Sequence, residues 1–202
     1  MWTCILQARS DPARVQEMVV LRYRRPLYEF ARQAGLRHED AEDVVQEAFF
    51  RICRDEFLEK ADRSKGKFRS LLLAVVKYVI SEFRRRSHAG VRDTRREVPL
   101  SEFDAAEPGS EDPAFNRLWV QNLVSHALDN LKEDPTIPSL RLQISGKSYR
   151  DIAQELGIPE STVTNNIHRA KVRVKKEIER LVAQYSTQAE FPEEIALLIQ
   201  YL

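Results

Sequence analysis

The segment from 148 to 176 constrains the fold most, because it reads SYRDIAQELGIPESTVTNNIHRAKVRVKK. Ser148 is a suitable N-cap for a first helix, and Gly157 can adopt the left-handed conformation that ends it. Pro159 discourages any continuation of that helix. The sequence therefore predicts two helices joined by a tight turn, with the second helix beginning at Glu160 or Ser161.

The second helix of this segment has one apolar and one polar face. Apolar residues recur at spacings of three and four and should face a core: Val163, Ile167, Ala170 and Val174. The side chains left for solvent or a ligand are amides, hydroxyls, cations and one imidazole: Thr162, Asn165, Asn166, His168, Arg169, Lys171 and Arg173. Such side chains reach base edges and phosphates when a helix lies in a major groove. The pattern is typical of a DNA-binding unit, and a helical hairpin with a solvated basic face stays open as the alternative.

Composition agrees with a modular helical protein. The 202 residues allow one or two domains, 43% are hydrophobic, and only six are glycine. The formal net charge of +1 is uninformative. The charged residues, which make up 31% of the chain, occur in blocks of one sign, and this arrangement is informative. The fold class expected is all-α.

Neither a metal nor a cofactor is indicated by the sequence. Cys4 and Cys53 are the two cysteines, without a CxxC motif or a nearby histidine pair, which excludes a recognisable zinc site and a disulfide framework. The N-terminus lacks the pattern of a signal peptide, and no stretch approaches eighteen apolar residues. We therefore expect a soluble, cytoplasmic chain without a membrane association.

The chain divides into blocks by composition. Helical periodicity covers 11–86 and 116–186, whereas 87–115 contains two proline-centred breaks and no apolar period, as in a linker. The second half of this linker is acidic, which either discourages non-specific phosphate contacts or is plain solvation. Residues 187–202 form a C-terminal extension.

Within the first block, a helix that Pro26 could bend should end at Gly35. The next helix, HEDAEDVVQEAFFRIC, has a buried stripe consisting of Ala41, Val44, Val45, Ala48, Phe49 and Ile52. Its opposite face is acidic and polar and consists of Asp40, Glu42, Asp43, Gln46 and Glu47. Acids in a first helical turn are favoured by the helix dipole, and no other acid or histidine cluster converges on them. A basic protein partner is a better reading of this face than catalysis, with plain solvation as the alternative.

A basic and aromatic stretch follows and continues into a helix that ends in Arg84, Arg85 and Arg86. Cations for phosphates and rings for unpaired bases are what a single-stranded nucleic-acid surface needs, and this stretch supplies Lys65, Lys67, Phe68, Arg69, Lys77 and Tyr78. Phe68 could equally belong to the core. The arginines also stabilise the helix end by about 0.3 to 1 kcal/mol each.

Taken in order, these parts resemble an RNA polymerase sigma factor of the extracytoplasmic-function group of the sigma-70 family. The resemblance rests on DAEDVVQEAFFRI, then GKFRSLLLAVVKY and FRRR, then a linker and SYRDIAQELGIPESTVTNNIHRAK. It implies two helical domains joined by a flexible linker, with region 2 at 11–86 and region 4 at 116–186. It also implies core RNA polymerase and promoter DNA as partners, with an anti-sigma protein left open, and no catalytic centre.

The resemblance assigns roles to residues by position. The acidic helix would dock on the polymerase beta-prime clamp through Asp43, Gln46, Glu47 and Phe50. The next loop and helix would melt and read the minus-ten element through Lys65, Lys67, Phe68, Arg69, Lys77, Tyr78, Ser81 and Arg84. The last helix would read the minus-thirty-five element through Thr162, Asn165, Asn166, His168 and Arg169, with Lys171 and Arg173 on phosphates.

The sequence departs from the family pattern in three places. Lys77 and Ser81 stand where many members have asparagine and aspartate, so the base preference at minus ten is not given. Asp134-Pro135 and Ile137-Pro138 interrupt what is usually a continuous helix and disturb the surface used against the beta flap. The extension carries acids before an apolar face, which either docks on the promoter-reading module or the polymerase, or frays as a terminus.

Two other functions fit parts of the sequence. An autonomous helix-turn-helix regulator that binds duplex DNA as a dimer leaves the acidic helix and the basic-aromatic loop unexplained. A metal-dependent nuclease using Asp40, Glu42, Asp43 and Glu47 is disfavoured, because acids along one exposed stripe do not surround a cation.

Overall fold

The computed structural model describes residues 12–52, 67–89, 112–184, 186 and 191–201. Within these ranges the secondary structure consists of helices, which confirms the all-α class. They are α1 (Pro12–Gln33), α2 (His38–Ile52), α3 (Phe68–Ala89), α4 (Pro113–Asn130), α5 (Ile137–Ile144), α6 (Tyr149–Leu156), α7 (Glu160–Ala183) and α8 (Phe191–Tyr201). In this described part, no helix has the combination of length and apolar character needed to cross a bilayer.

Helices α1, α2 and α3 pack against one another. Pro26 is buried within α1, and the helix continues past it to Gln33. The end of α1 follows the predicted signal, because Gly35 has a φ of 89° and the Leu36 amide donates to the Ala31 carbonyl at 3.3 Å. The six apolar residues predicted for α2 are all buried, so periodicity identified its core face correctly.

Helix α3 is more deeply enclosed than an amphipathic pattern indicates. Leu73 and Val76 are buried as well as Leu72, Val75 and Val79. The reason is that both α1 and α2 pack on α3, so more than one stripe is covered. The helix also continues to Ala89, past the predicted end at Arg86.

Helix α4 connects the two halves of the protein. Asp112 caps it, since its Oδ1 accepts from the amides of Ala114 at 3.0 Å and Phe115 at 3.2 Å. One side of α4 packs on α1, where the Phe115 ring meets the edge of Phe30 at 6.1 Å between centroids. The other side packs on α7. The linker predicted at 87–115 therefore overlaps helical residues at both of its ends.

The prolines after α4 do not break a helix. Pro135 lies in the turn between α4 and α5, and Pro138 lies in the first turn of α5. A proline is tolerated there because its missing N–H has no intrahelical partner. The interruption expected from the sequence is thus a boundary between two intact helices. Helix α5 packs on α6 and α7, and α8 packs on α4 and α7 with Leu198 fully buried.

Candidate nucleic-acid interface

The turn between α6 and α7 has the geometry that the sequence predicts. The Ser148 hydroxyl oxygen accepts from the Asp151 amide at 3.2 Å and caps α6. The hydroxyl also donates to the Asp151 carboxylate at 2.6 Å and holds the pKa of that carboxyl below its ordinary value. Gly157 ends α6 with a φ of 64°, and α7 begins directly after Pro159. The local signals thus produce a helix, a left-handed turn and a second helix.

Gly157 allows a direct test of this turn. A Cβ atom added at Gly157 would meet nothing within 4 Å, so a substitution is strained only through its left-handed backbone. We expect Gly157→Ala to lower the free energy of unfolding by about 1 to 2 kcal/mol, measured as a shift of the urea midpoint at unchanged slope. Gly157→Asn should cost less, because asparagine tolerates this conformation. Equal midpoints for wild type and Gly157→Ala would contradict the assigned turn.

Helix α7 presents most of the predicted polar side chains to solvent. The four residues predicted to face the core are buried. Asn165, His168, Arg169 and Lys171 are exposed, while Thr162 is partly buried. Asn166 is also partly buried, and its amide lies 3.5 Å from the Ser139 hydroxyl of α5. The exposed face of α7 is therefore a continuous polar surface with two edge residues.

Two residues of α7 differ from what the sequence predicts. Arg173, predicted on a phosphate, forms an ion pair with Asp134 in the turn before α5. Ser161 is exposed in the first turn of α7 and was not among the predicted site residues. Recognition helices contact base edges through their N-terminal residues, so its position just after the turn is the sequence signal for including it.

The residues predicted to dock on a protein partner share one side of α2. Asp43, Gln46, Glu47 and Phe50 follow a spacing of three, one and three, which places them on one helical face. Asp43 and Gln46 are exposed, and Phe50 is 63% exposed. This face therefore combines an exposed phenylalanine with one amide and two acidic side chains.

The acids of α2 have arginine partners within the chain. Asp40 pairs with Arg37 at 2.9 Å, Glu42 with Arg24 at 2.7 Å, and Glu47 with Arg51 at 2.7 Å. Across the part of the chain that the structure describes, no group of three or more histidine, cysteine or acidic residues is placed to hold a metal ion. Asp40, Glu42 and Glu47 therefore belong to a charged surface and are paired within the chain.

The start of α3 lies in the protein interior. Phe68 is 1% exposed, and its ring meets the edge of Tyr23 at 6.1 Å between centroids. Arg69 is 3% exposed and pairs with Glu194 of α8. In this conformation neither residue is accessible to nucleic acid. Phe68 takes the core position that the sequence left open, whereas Arg69 is not the exposed cation expected from the sequence. Lys67 is partly buried, and Lys65 lies outside the described residues.

The middle of α3 carries the accessible part of the predicted minus-ten surface. Lys77, Ser81 and Arg84 are exposed at a spacing of four and three, on one side of the helix. Lys77 lies 2.7 Å from Asp112, and Arg84 donates to the Ala34 carbonyl. Two predicted DNA-binding cations therefore bind acceptors within the chain.

Tyr78 is held by two residues that sequence reasoning missed. Its hydroxyl donates to Glu82 at 3.1 Å, and the Arg51 guanidinium lies 5.7 Å from the centre of its ring. Arg51 pairs with Glu82 at 2.9 Å as well as with Glu47. Burial disfavours the charged form of Arg51, but these two carboxylates keep its pKa above the ordinary value. The network connects the acidic face of α2 to the aromatic side chain of α3.

Comparisons with known proteins agree with this arrangement. Residues 19–89 match the model for sigma-70 region 2, and residues 122–174 match the model for sigma-70 region 4. The chain is 24% identical over 179 residues to the ECF RNA polymerase sigma factor SigE of Mycolicibacterium smegmatis, covering 86% of this chain and 66% of that relative. It is 25% identical over 175 residues to the RNA polymerase sigma-H factor of Pseudomonas aeruginosa, covering 85% and 90%.

A third relative, the ECF RNA polymerase sigma-E factor of Escherichia coli, is 24% identical over 145 residues, covering 71% of this chain and 76% of the relative. No solved structure matches the chain significantly. The region 2 model covers α2 with its acidic face and the basic helix α3, and the region 4 model covers the helix-turn-helix of α6 and α7. The two models follow one another in the order in which these features occur along the chain. The chain therefore belongs to the sigma-70 family, and within it to the extracytoplasmic-function group of sigma factors.

Proposed function

We propose that this protein is a dissociable initiation factor, which binds core RNA polymerase and directs it to promoters. The observation that carries this proposal is the combination of two surfaces on one chain: the acidic face of α2 for a protein partner and the polar face of α7 for duplex DNA. An autonomous DNA-binding regulator needs only the second surface. The factor catalyses no reaction itself, and the polymerase synthesises the phosphodiester bonds.

The partner surfaces are assigned by module. Residues 11–86 act as region 2 and residues 116–186 as region 4, with 87–115 as the linker. The α2 face binds the beta-prime clamp, and the region 4 module contacts the beta flap. The exposed side of α3 reads the minus-ten element, and α7 reads the minus-thirty-five element. Since core polymerase and promoter DNA are cytoplasmic, the factor acts in the cytoplasm. An anti-sigma protein is a further partner that the same surfaces could accommodate.

The α2 assignment predicts a polymerase-binding defect. Asp43→Ala combined with Glu47→Ala should weaken binding to core polymerase by at least about tenfold, because a hydrogen bond to a charged group contributes about 1.5 to 3 kcal/mol. Folding should be retained, because Asp43 is exposed and Arg51, which loses Glu47, keeps its pair with Glu82 at 2.9 Å. Fluorescence anisotropy of the labelled factor titrated with core enzyme measures the affinity.

Glu17→Ala is the control for this experiment, because Glu17 is an exposed acid on α1 and so lies outside the α2 face. It should bind core polymerase like the wild type. If the double variant keeps full affinity, or if Glu17→Ala loses as much, the docking face is assigned wrongly.

Run-off transcription on a library of randomised promoters tests the function as a whole. Core polymerase with the factor should select templates that share two sequence elements, and core polymerase alone should not. A pull-down with core polymerase separates this function from that of an autonomous regulator, which would bind duplex DNA without the enzyme. Failure to bind core polymerase, together with specific binding to duplex DNA, would favour the regulator.

A further inference from the structure

An ion pair in the protein interior joins the C-terminal helix α8 to α3 of region 2. The Arg69 Nη1 atom donates to both carboxylate oxygens of Glu194, at 2.7 and 2.5 Å. Arg69 belongs to α3, and the two residues lie 125 positions apart in the sequence. The Arg69 side chain is 3% exposed and that of Glu194 is 12% exposed. A cation that the family resemblance assigns to the minus-ten element is thus neutralised by the C-terminal extension.

The surroundings of this pair come from three separate parts of the chain. The Arg69 guanidinium lies 5.0 Å from the centre of the Trp119 ring of α4. Tyr23 of α1 lies beside the pair, and burial raises the pKa of its phenol well above the ordinary value. Leu198 of α8 is 1% exposed. The pair therefore lies beside aromatic side chains of α1 and α4, which limit the competition of water for its hydrogen bonds.

A second acid from outside region 2 acts on the same helix. Asp112, at the end of the linker, binds Lys77 of α3 at 2.7 Å. Burial opposes ionisation of Asp112, but Lys77 and the amides of Phe115 and Ala114 hold its pKa below the ordinary value. Arg69 is therefore bound to a carboxylate of the C-terminal extension, and Lys77 is bound to a carboxylate at the end of the linker. We call this arrangement the closed conformation.

We propose that α8 is an autoinhibitory element, which holds the factor closed by binding, through Glu194, the arginine that contacts promoter DNA. The proposal rests on the proposed function, because it takes its meaning from the role of α3 at the minus-ten element. The carboxylate of Glu194 occupies the position that a DNA phosphate or base edge takes on Arg69. Opening requires α8 to leave α4 and α7, and Asp112 acts as a second, weaker contact of the same kind.

The proposal predicts activation by a single neutral substitution. Glu194→Gln keeps the shape of the side chain but removes its charge. The free variant should bind a fluorescent single-stranded oligonucleotide, taken from the non-template strand of a promoter selected with the holoenzyme, about tenfold more tightly if the wild type is about ten to one closed. Run-off transcription at limiting factor should rise in the same direction, and the α8 amides should exchange hydrogen faster.

Two variants serve as controls. Glu193→Gln removes the neighbouring acid of the same helical turn, which is exposed, and should behave like the wild type. Asp112→Asn removes the Lys77 pair while keeping the N-cap, because asparagine caps helices as well as aspartate does. It should show a smaller increase in oligonucleotide binding. A combined Glu194→Gln and Asp112→Asn variant should show the largest.

The outcomes distinguish a failure of the autoinhibition proposal from a failure of the proposed function. Unchanged oligonucleotide binding, transcription and α8 exchange in Glu194→Gln, with an active wild type, would overturn autoinhibition. Faster α8 exchange with unchanged binding and transcription would also overturn it, and would leave the pair as a structural contact. A wild-type factor that neither binds core polymerase nor supports transcription would instead overturn the proposed function, and α8 exchange would still report whether Glu194 holds the helix.

Discussion

Arg169→Ala should reduce the preference for the cognate minus-thirty-five duplex over a scrambled duplex, because loss of one good bidentate base contact costs about 1 to 3 kcal/mol of discrimination. Asn165→Ala should act in the same way. Both side chains are exposed on α7, in its second and third turns, and a helix-turn-helix unit places its second helix in the major groove. Competition binding of holoenzyme to the two duplexes measures the ratio.

Lys171→Ala is the matched control on the same helix. As a phosphate contact, it should weaken binding to cognate and scrambled duplexes alike, and it should reduce the dependence of log affinity on log salt by about one. Arg169→Ala should change the salt dependence less than the affinity ratio. Equal losses on both duplexes for all three variants would remove the distinction between base and phosphate contacts.

Phe68→Ala should destabilise the fold by about 3 to 5 kcal/mol, because removing a buried phenylalanine leaves a cavity. The ring of Phe68 is 1% exposed, so any effect of this variant on transcription is expected to follow unfolding. Chemical denaturation of the purified variant measures the loss. A variant with wild-type stability and defective promoter melting would favour a direct base contact, which the sequence left open beside the core position.

Tyr78→Ala should impair promoter melting without a comparable loss of stability, since stacking of a base on a ring contributes about 1 to 3 kcal/mol. Permanganate reactivity of thymines in the open complex should fall, whereas closed-complex binding should change little. Tyr78→Phe loses the hydrogen bond to Glu82 but keeps the ring, and should retain most of the melting. Equal reactivity in wild type and Tyr78→Ala would assign the ring to packing alone.

Local signals were sufficient for helix ends and core faces. The caps at Ser148 and Gly157 and the stripe of α2 depend on residues within a few positions of one another, so the sequence pattern carries them directly. Pro138 shows the limit of such reasoning. A proline predicts that a helix cannot continue through it, but the pattern does not distinguish a broken helix from the first turn of a new one.

Pairing between distant segments could not be predicted in this way. The Arg69 side chain was interpreted as a surface cation because its neighbours are basic and aromatic, and its partner Glu194 follows 125 residues later. An arginine becomes buried only when a carboxylate from elsewhere compensates its charge, and no local periodicity identifies that carboxylate. Lys77 remains exposed, but its partner Asp112 also lies outside the first block. Phe68, by contrast, is buried against Tyr23 of the first block.

The position of α4 between α1 and α7 limits how far the protein can reach. Elements centred at minus ten and minus thirty-five are about 25 base pairs apart, or roughly 85 Å along straight DNA at about 3.4 Å per pair. A compact chain of this length has a radius of gyration of only about 17 Å. Helix α4, with 18 residues, is about 27 Å long.

Both elements can therefore be bound at once only if α4 separates from one of its neighbours. Separation from α1 breaks the contact of Phe115 with Phe30 and the hydrogen bond from Asn122 to the Arg22 carbonyl. The 22 residues between Ala89 and Asp112 could then extend to about 75 Å at roughly 3.3 to 3.6 Å each. On this geometry, the length of that segment sets the promoter spacing that the factor accepts, and shortening it should favour promoters whose two elements lie closer together.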